Sequence, residues 1–438
     1  MSGTPGKAQH KLIFAATVLG GVSGLLLQEF LPGHSKNPGL AWFVDNIATN
    51  VGSLFLTMIF MIVVPLLVSA LVLGVAEIGD AAKFGRIGIR SLLMTVLLSG
   101  IAVAIGLFAV NLVRPGDSIP AEKRAQLMAS INKGEATKRA AAEAAATADP
   151  PLLGVVPKNP LLEATRPFTG GQLPLMFFAL VIGIALSAID PEKALPVKAV
   201  LEGTFAVSLK VIDFAMLLAP VGVFCLVFKT GATLGLDAFV AVGKYALLVL
   251  SCLILHQFGV YSLVLKFIAK RNPLEFFRSI KGVMMTAFAT SSSNATLPVA
   301  LRSAEEDLGL PPDISRFVLT VGATANQNGT ALFEGITILF LCQFYGVQLD
   351  LGQQLNVMLM AIIAGVGTAG VPGGAWPMIG SIVVRLGVPI EAIGLVLGID
   401  RILDMSRTVL NVTGDITIAA SVAQMEGRGQ VIPVMAEE

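Results

Sequence analysis

Six polar residues late in the chain, Asp400, Asp404, Arg407, Thr408, Asn411 and Asp415, are where this sequence could do chemistry. On a helix turning about 100° per residue they share an arc of about 100°. They form one polar stripe on an otherwise apolar segment, Ile393–Ala423. If that segment lies in a membrane, each ionised residue costs roughly 2.5–3.5 kcal/mol on insertion scales. Such a stripe either has a polar task or is a charge-paired seam that packs helices. Arg407 presents a planar fork suited to a carboxylate. Asp404, one turn earlier, can receive an ammonium. A cation and an anion about 5 Å apart on one face suit an acidic amino acid. The guanidinium would take the side-chain carboxylate and Asp404 the α-amino group. Asn411 and Asp415 offer the hard oxygen ligands a small cation needs. Arg401, at the edge of the stripe, reads as a snorkelling side chain or a local partner of Asp400.

Two further features carry chemistry. Ser291-Ser292-Ser293 offers backbone N–H groups and hydroxyls to a carboxylate. A nucleophilic serine would need a base. The three histidines are His10, His34 and His256. The first two fall near membrane edges, and His256 stands alone in a span as a packing residue, so a membrane hydrolase fits poorly. Glu334 lies four residues after Thr330, on the same helix face. An apolar setting tolerates the neutral form of a carboxyl group, so Glu334 could take a proton across the membrane. The alternative is a hydrogen-bonded structural glutamic acid. Cys225, Cys252 and Cys342 are widely spaced in apolar stretches and suggest neither a metal site nor a disulfide framework.

The elements that must position these residues are membrane helices. Hydrophobic residues make up 55% of the 438 and charged residues 13%, about half the charge a soluble surface carries. Mean hydropathy is +0.80. This excludes a disordered chain, a nucleic-acid-binding domain and a cytosolic enzyme. A span needs about 20 apolar residues. Leu12–Leu31, Phe43–Val75, Leu92–Val113, Leu173–Ala188, Val197–Phe228 and Phe239–Ile268 qualify. The first reads as an anchored helix rather than a cleaved signal. Residues Arg114 to about Gly171 are polar, with the alanine-rich run Ala140–Ala148, and read as an aqueous loop. Short loops carrying Lys83, Arg86 and Arg90, then Lys270, Arg271, Arg278 and Lys281, are expected to be cytoplasmic. The long loop is then outside and both termini inside.

Beyond residue 274 the spans are interrupted. Ser279–Leu301 is broken at Thr290–Asn294, Ile314–Phe344 at Asn326–Thr330, and Leu355–Val384 at Gly365–Gly374. Non-helical backbone at membrane depth is tolerated only against protein or a wet cavity. Interrupted spans in related positions point to a transporter binding site near the midplane.

Taken in order, these motifs resemble the glutamate transporter family, the dicarboxylate/amino acid:cation symporters, over essentially the whole chain. The matching pieces are Ser291-Ser292-Ser293 with Thr296-Leu297-Pro298; Asn326-x-x-Gly329-Thr330; Gly367-Thr368-Ala369-Gly370-Val371-Pro372-Gly373; and Asp404-Met405-x-Arg407-Thr408-x-x-Asn411-Val412-Thr413-Gly414-Asp415. The resemblance implies an all-α polytopic membrane protein of eight transmembrane helices and two re-entrant hairpins with inverted repeats. It implies a homotrimer in the cell (inner) membrane. It divides the chain into a scaffold (8–80 and 172–232), an extracytoplasmic loop (115–171) and a transport domain (82–114 and 237–425) that moves like an elevator. The second hairpin would be the gate. By the same resemblance Arg407, helped by Thr330, binds the substrate side-chain carboxylate and Asp404 the amino group. Ser292, Thr408 and Asn411 hold the α-carboxylate, and Val371 closes over it. The substrate implied is L-aspartate or L-glutamate, with no nucleic acid, resident metal or cofactor.

The ion sites depart from the family pattern. Where sodium-coupled members read Asn-Met-Asp-Gly-Thr, this chain reads Asn326-Gln327-Asn328-Gly329-Thr330. The usual sodium-binding aspartate is Asn328, and the third-helix ligands fall on Thr95, Leu98 and Ser99, so that site is expected to be lost. A second site, drawing on Gln327 and the segment from Gly365 to Thr368, is expected to be degraded. The remaining site, Asn411, Asp415 and the carbonyls of Gly322 and Asn326, looks intact. Thr290 and Met405 stand where members carry an arginine. Glu334 falls where proton-carrying members have a glutamate. The expectation is proton-coupled uptake of acidic amino acids. Sodium-coupled symport of reduced stoichiometry is the alternative, and an anion channel or membrane binding protein is the rival of another class.

Overall fold

The computed structural model describes residues 5–30, 39, 42–80, 85–120, 156–165, 172–367 and 375–429. Lys83, Thr368, Val371 and most of the long polar loop with its alanine-rich run lie outside the described residues. Within them the chain is helical, with no β-strand. The helices are α1 (Pro5–Phe30), α2 (Thr49–Phe60), α3 (Val63–Asp80), α4 (Arg86–Val113), α5 (Pro160–Ala164), α6 (Gln172–Ala188), α7 (Pro191–Leu234), α8 (Leu236–Leu255) and α9 (Tyr261–Phe267). Then come α10 (Pro273–Ser279), α11 (Lys281–Thr290), α12 (Ser293–Arg302), α13 (Pro312–Ala325), α14 (Asn328–Tyr345), α15 (Leu351–Gly367), α16 (Ala375–Arg385), α17 (Gly394–Leu397) and α18 (Asp400–Met425).

Among the described residues, five stretches are long and apolar enough to cross a membrane: Leu12–Phe30, Asn46–Ala76, Arg86–Ser118, Pro191–Leu234 and Leu236–Phe267. Four details differ from the sequence reading. The expected span Phe43–Val75 is interrupted at Met61–Ile62. Pro65 has no N–H to donate to the Met61 carbonyl and its ring crowds that carbonyl. The third helix starts at Arg86, after Gly85 at φ +59°, so Arg86 and Arg90 ride on the helix rather than in a loop. Both reach Glu426, at 3.6 and 2.6 Å. Helix α7 runs 44 residues, about 66 Å, roughly twice the hydrocarbon thickness, so it projects beyond the bilayer. The last span is not continuous, because Gly398 and Ile399 separate α17 from α18.

Two packing groups emerge. Helix α1 lies along α7, which also packs on α2 and α3, while α3 packs on α6. The α1–α7 crossing is close because Gly20 and Gly24 have no side chains. A Cβ there would sit 2.7 Å from the Phe224 carbonyl oxygen and 2.5 Å from that of Phe228. In the second group α14 is buried along its whole length and packs against α4 and α18. Helices α8, α9, α11, α12 and α13 pack on α18. The groups meet where α3 touches α13 and α15, and where α7 touches α8 and α17. Outward faces stay apolar, with Phe14, Leu19, Val200, Phe214 and Leu217 exposed, as a lipid-facing surface requires.

Candidate functional site

The site is assembled where the α13–α14 break and the first hairpin pack on α18. Helix α13 ends at Ala325. Asn326 and Gln327 leave the helical region, at ψ 81° and 54°, and α14 starts at Asn328. A break of this kind frees backbone donors and acceptors that must find partners in a buried setting. Asn411 supplies several. Its Oδ1 accepts from the Gly329 N–H at 2.7 Å, and its Nδ2 donates to Gln327 Oε1 at 2.5 Å and toward Thr330 Oγ1 at 3.3 Å. Gln327 Nε2 in turn donates to the Ala323 carbonyl at 3.0 Å. A Cβ on Gly329 would lie 2.7 Å from the Arg407 carbonyl oxygen, so only glycine lets the two backbones approach.

Arg407 is 2% exposed. Its Nη2 donates to Asp404 Oδ1 at 2.6 Å and Asp400 Oδ1 at 3.2 Å. Its guanidinium carbon lies 3.8 Å from the centroid of the Phe333 ring, a cation–π contact. Nε and Nη1 have no partner among the described residues. The cation is thus held at one nitrogen and over one face, with other donors uncommitted. Asp400 Oδ2 accepts from Trp376 Nε1 at 2.8 Å. Arg401, read as a snorkelling side chain or a local partner of Asp400, comes nearest Asp404, at 3.9 Å. Asp400, Arg401 and Asp404 line a cavity of about 600 Å³, walled also by Phe288, Ala289 and apolar residues of α1, α2 and α7.

The first hairpin brings its tip to α18. Helix α11 ends on Ser291 at φ +52°, and Ser292, extended, caps α12 by accepting from the Ala295 N–H at 3.2 Å. The N-terminus of α12 carries the positive end of a helix dipole and favours an anion. Thr290, which stands where an arginine was expected, ties the tip. It accepts from the Ser292 N–H at 3.3 Å and shares a hydrogen bond with Thr296 Oγ1 at 3.0 Å.

The expected ion residues separate into three places. Asp415 Oδ1 accepts from Asn326 Nδ2 at 2.7 Å and its carboxylate rests against Gly322. Beside it lies a cavity of about 20 Å³ lined by Ser91, Thr95, Gly322 and Asn326, roomy enough for one water-sized occupant. Asn411, expected with Asp415, is hydrogen-bonded at the break to Gly329 and Gln327. The Gly322 carbonyl already accepts from the Asn326 N–H at 2.8 Å. Asn328 and Ser99 hydrogen-bond to each other at 2.5 Å, and Leu98 packs in the apolar core. Gly365 lies against Gln327. The Thr408 hydroxyl donates to the Asp404 carbonyl at 2.9 Å. Glu334 is fully buried, and neither carboxyl oxygen has a partner among the described residues.

Sequence reasoning missed Phe333, Trp376 and Tyr261. Trp376 is one of only two tryptophans, just after the Gly/Pro-rich interruption, and its indole N–H needs an acceptor when buried. Phe333 precedes Glu334 and lies three residues from Thr330, so helical spacing carried the signal.

The family model described as the sodium:dicarboxylate symporter family matches residues 10–425. The chain is 30% identical over 405 residues to a proton/glutamate-aspartate symporter of Escherichia coli (strain K12), covering 92% of this chain and 91% of that protein. It is 32% identical over 418 residues to a proton/sodium-glutamate symport protein of Bacillus subtilis (strain 168), covering 95% and 92%. A protein of the same description from Geobacillus stearothermophilus is 30% identical over 419 residues, covering 95% and 94%.

Proposed function

This chain belongs to the sodium:dicarboxylate symporter family, a family of membrane transporters rather than enzymes, and from that premise we propose that it takes up L-aspartate or L-glutamate in symport with protons. The observation that carries the proposal is Arg407. A buried guanidinium held at one nitrogen and backed by Phe333 keeps further donors for a carboxylate. Asp404, freed as the substrate engages Arg407, receives the amino group. Asp400 stays with Trp376 and keeps the guanidinium in place. The α12 N-terminus at Ser292, with Thr408 and Asn411, takes the α-carboxylate, Thr330 assists Arg407, and Val371 closes the gate.

The relatives carry proton/glutamate-aspartate and proton/sodium-glutamate descriptions, which supports both the substrate and the coupling ion. Glu334 is the proposed proton carrier. It is fully buried, and its carboxyl group has no hydrogen-bond partner among the described residues. The two packing groups support a scaffold (8–80, 172–232) and a transport domain (82–114, 237–425) that slides as an elevator within a homotrimer. Ser292, Thr330, Asp404, Arg407, Thr408 and Asn411 all come from the second group, so they can move together, while the cavity at Asp404 is walled in part by α1, α2 and α7 of the first. The protein is proposed to sit in the cell inner membrane with both termini cytoplasmic.

One observation favours a second reading. The cavity of about 20 Å³ beside Asp415 is large enough for one small cation next to a carboxylate, and a cation bound there would make the protein a sodium symporter of reduced stoichiometry. Radiolabelled L-aspartate uptake into proteoliposomes separates the two. Uphill uptake under an inward proton gradient without sodium supports proton coupling. Uptake only under a sodium gradient, abolished by Asp415→Asn, transfers the coupling to Asp415. No uphill uptake under either gradient rejects symport.

A further inference from the structure

On the side of the break away from Arg407, three side chains from three helices form one directed chain of hydrogen bonds. Ser99 Oγ of α4 donates to Asn328 Oδ1 at 2.5 Å. Asn328 Nδ2 donates to Tyr261 Oη at 3.0 Å. Tyr261 Oη donates to the Leu410 carbonyl of α18 at 3.1 Å. Asn328 and Tyr261 are fully buried and Ser99 nearly so. The Tyr261 hydroxyl gives one hydrogen bond and takes one, and both ends of the Asn328 amide are used. Tyr261 is aimed at α18 by the π-turn His256–Val260, which inserts an extra residue into the helix turn. The same turn sends Gln257 Nε2 to Thr413 Oγ1 at 3.0 Å, and His256 packs edge-on against the Tyr261 ring at 4.8 Å.

We propose that Tyr261 and Asn328 are positioning residues whose hydrogen-bonded tie, from Ser99 to the Leu410 carbonyl, holds the α14 break against α18 in place of a bound cation. The proposal rests on the reading of the break as part of the substrate site. Its physical core is the neutrality of Asn328. An amide closes the chain with one donor and one acceptor. A carboxylate there would have nothing to donate to Tyr261, would draw the phenol away from Leu410, and would leave a buried negative charge. Ser99 Oγ, Tyr261 Oη and the Leu410 carbonyl would then be oxygen ligands around a carboxylate, a set that calls for a small cation.

The test is L-aspartate affinity of the purified full-length transporter, by calorimetry, in alkali-cation-free buffer and with sodium at equal ionic strength and pH. Tyr261→Phe should weaken affinity about tenfold, the loss expected when one buried hydrogen bond leaves its partners unpaired, equally in both buffers. Asn328→Asp should weaken it in cation-free buffer and regain it with sodium, giving a steeper sodium dependence than wild type. The double variant should regain less. A purely structural role would not create sodium rescue. Unchanged affinity in Tyr261→Phe, or no added sodium dependence in Asn328→Asp, overturns the proposal. If wild type binds no L-aspartate, the functional reading has failed. The tie is then read from melting temperatures: sodium must stabilise Asn328→Asp more than wild type, and equal shifts reject it.

Discussion

The polar interior on either side of the break at Asn326–Gln327 is completed to different degrees. On the Arg407 side, Nε and Nη1 of the guanidinium and both oxygens of Glu334 lack partners among the described residues. On the Asn328 side, Ser99, Asn328 and Tyr261 use each other fully. A buried polar group left unpaired costs about 1–3 kcal/mol. On the proposed function a substrate or a proton relieves that cost at Arg407 and Glu334, whereas the Ser99–Asn328–Tyr261 chain is closed on itself, with His256 and Gln257 Oε1 beside it also without hydrogen-bond partners among the described residues. The open, Arg407 side carries charge, and the closed Ser99–Asn328–Tyr261 chain itself is neutral, with the Asp415 carboxylate held next to it by Asn326.

Arg407→Ala strikes the open side hardest. Asp400 and Asp404 would lose their shared cation while remaining buried, a loss of roughly 3–5 kcal/mol. L-aspartate affinity should fall by about two to three orders of magnitude in calorimetry. Wild-type affinity in this variant would mean the free guanidinium donors do not await a carboxylate. Glu334→Gln keeps the shape of the side chain and removes its exchangeable proton. Substrate exchange should persist in proteoliposomes while accumulation under a proton gradient disappears. If accumulation continues unchanged, the unpaired Glu334 oxygens belong to no proton pathway.

The closed side is tested by Gly414→Ala. The new Cβ would meet Tyr261 Oη at 2.5 Å, Asn326 Nδ2 at 3.0 Å and Asn328 Nδ2 at 3.2 Å. Overpacking of this kind costs about 1–3 kcal/mol. A lowered melting temperature is expected, with substrate still bound. An unaltered melting temperature would show that the frame is looser than its hydrogen bonds imply.

Much of this contrast was legible in the sequence. The stripe from Asp400 to Asp415 was read from helical spacing alone, and every member of it from Asp404 onward is buried in the structure. The interruptions at Thr290–Asn294 and Asn326–Thr330 were read from polar residues inside apolar spans, and the helices break within them at Ser291–Ser292 and Asn326–Gln327. Loss of the aspartate at Asn328 was also visible. What replaced it was not, because Tyr261 comes from a helix 67 residues earlier and reaches the break only through a π-turn. Periodicity assumes a regular 3.6-residue turn and cannot register one extra residue. The gap at Gly398–Ile399 was hidden for a related reason, since an apolar run continues across it. Of the two readings of Arg401, a local partner for Asp400 followed adjacency in sequence, whereas the structure sets it nearest Asp404, three residues on along the helix face.

The smallest effect marks the edge of the comparison. Asp313 opens α13 and Arg428 follows α18, so their bidentate pair, at 2.7 and 2.8 Å, joins the outer ends of the two helices that frame the site. Hydrogen bonding from Arg428 holds the Asp313 carboxyl below the usual carboxylate range. A carboxylate depressed in the folded state stabilises that state above its unfolded value of about 3.9, and the contribution is lost as pH falls through the lowered folded value. Both side chains are about half exposed, so solvent and salt screen the pair and its contribution is small. Asp313→Asn should therefore lower the melting temperature less than Gly414→Ala at neutral pH, and the difference from wild type should vanish in acid and in high salt. Substrate affinity should not change. A fall in affinity approaching that of Arg407→Ala would mean that the outer end of α13 is coupled to the break, and that the boundary between the open and closed sides runs the length of the helix rather than through Asn326 and Gln327.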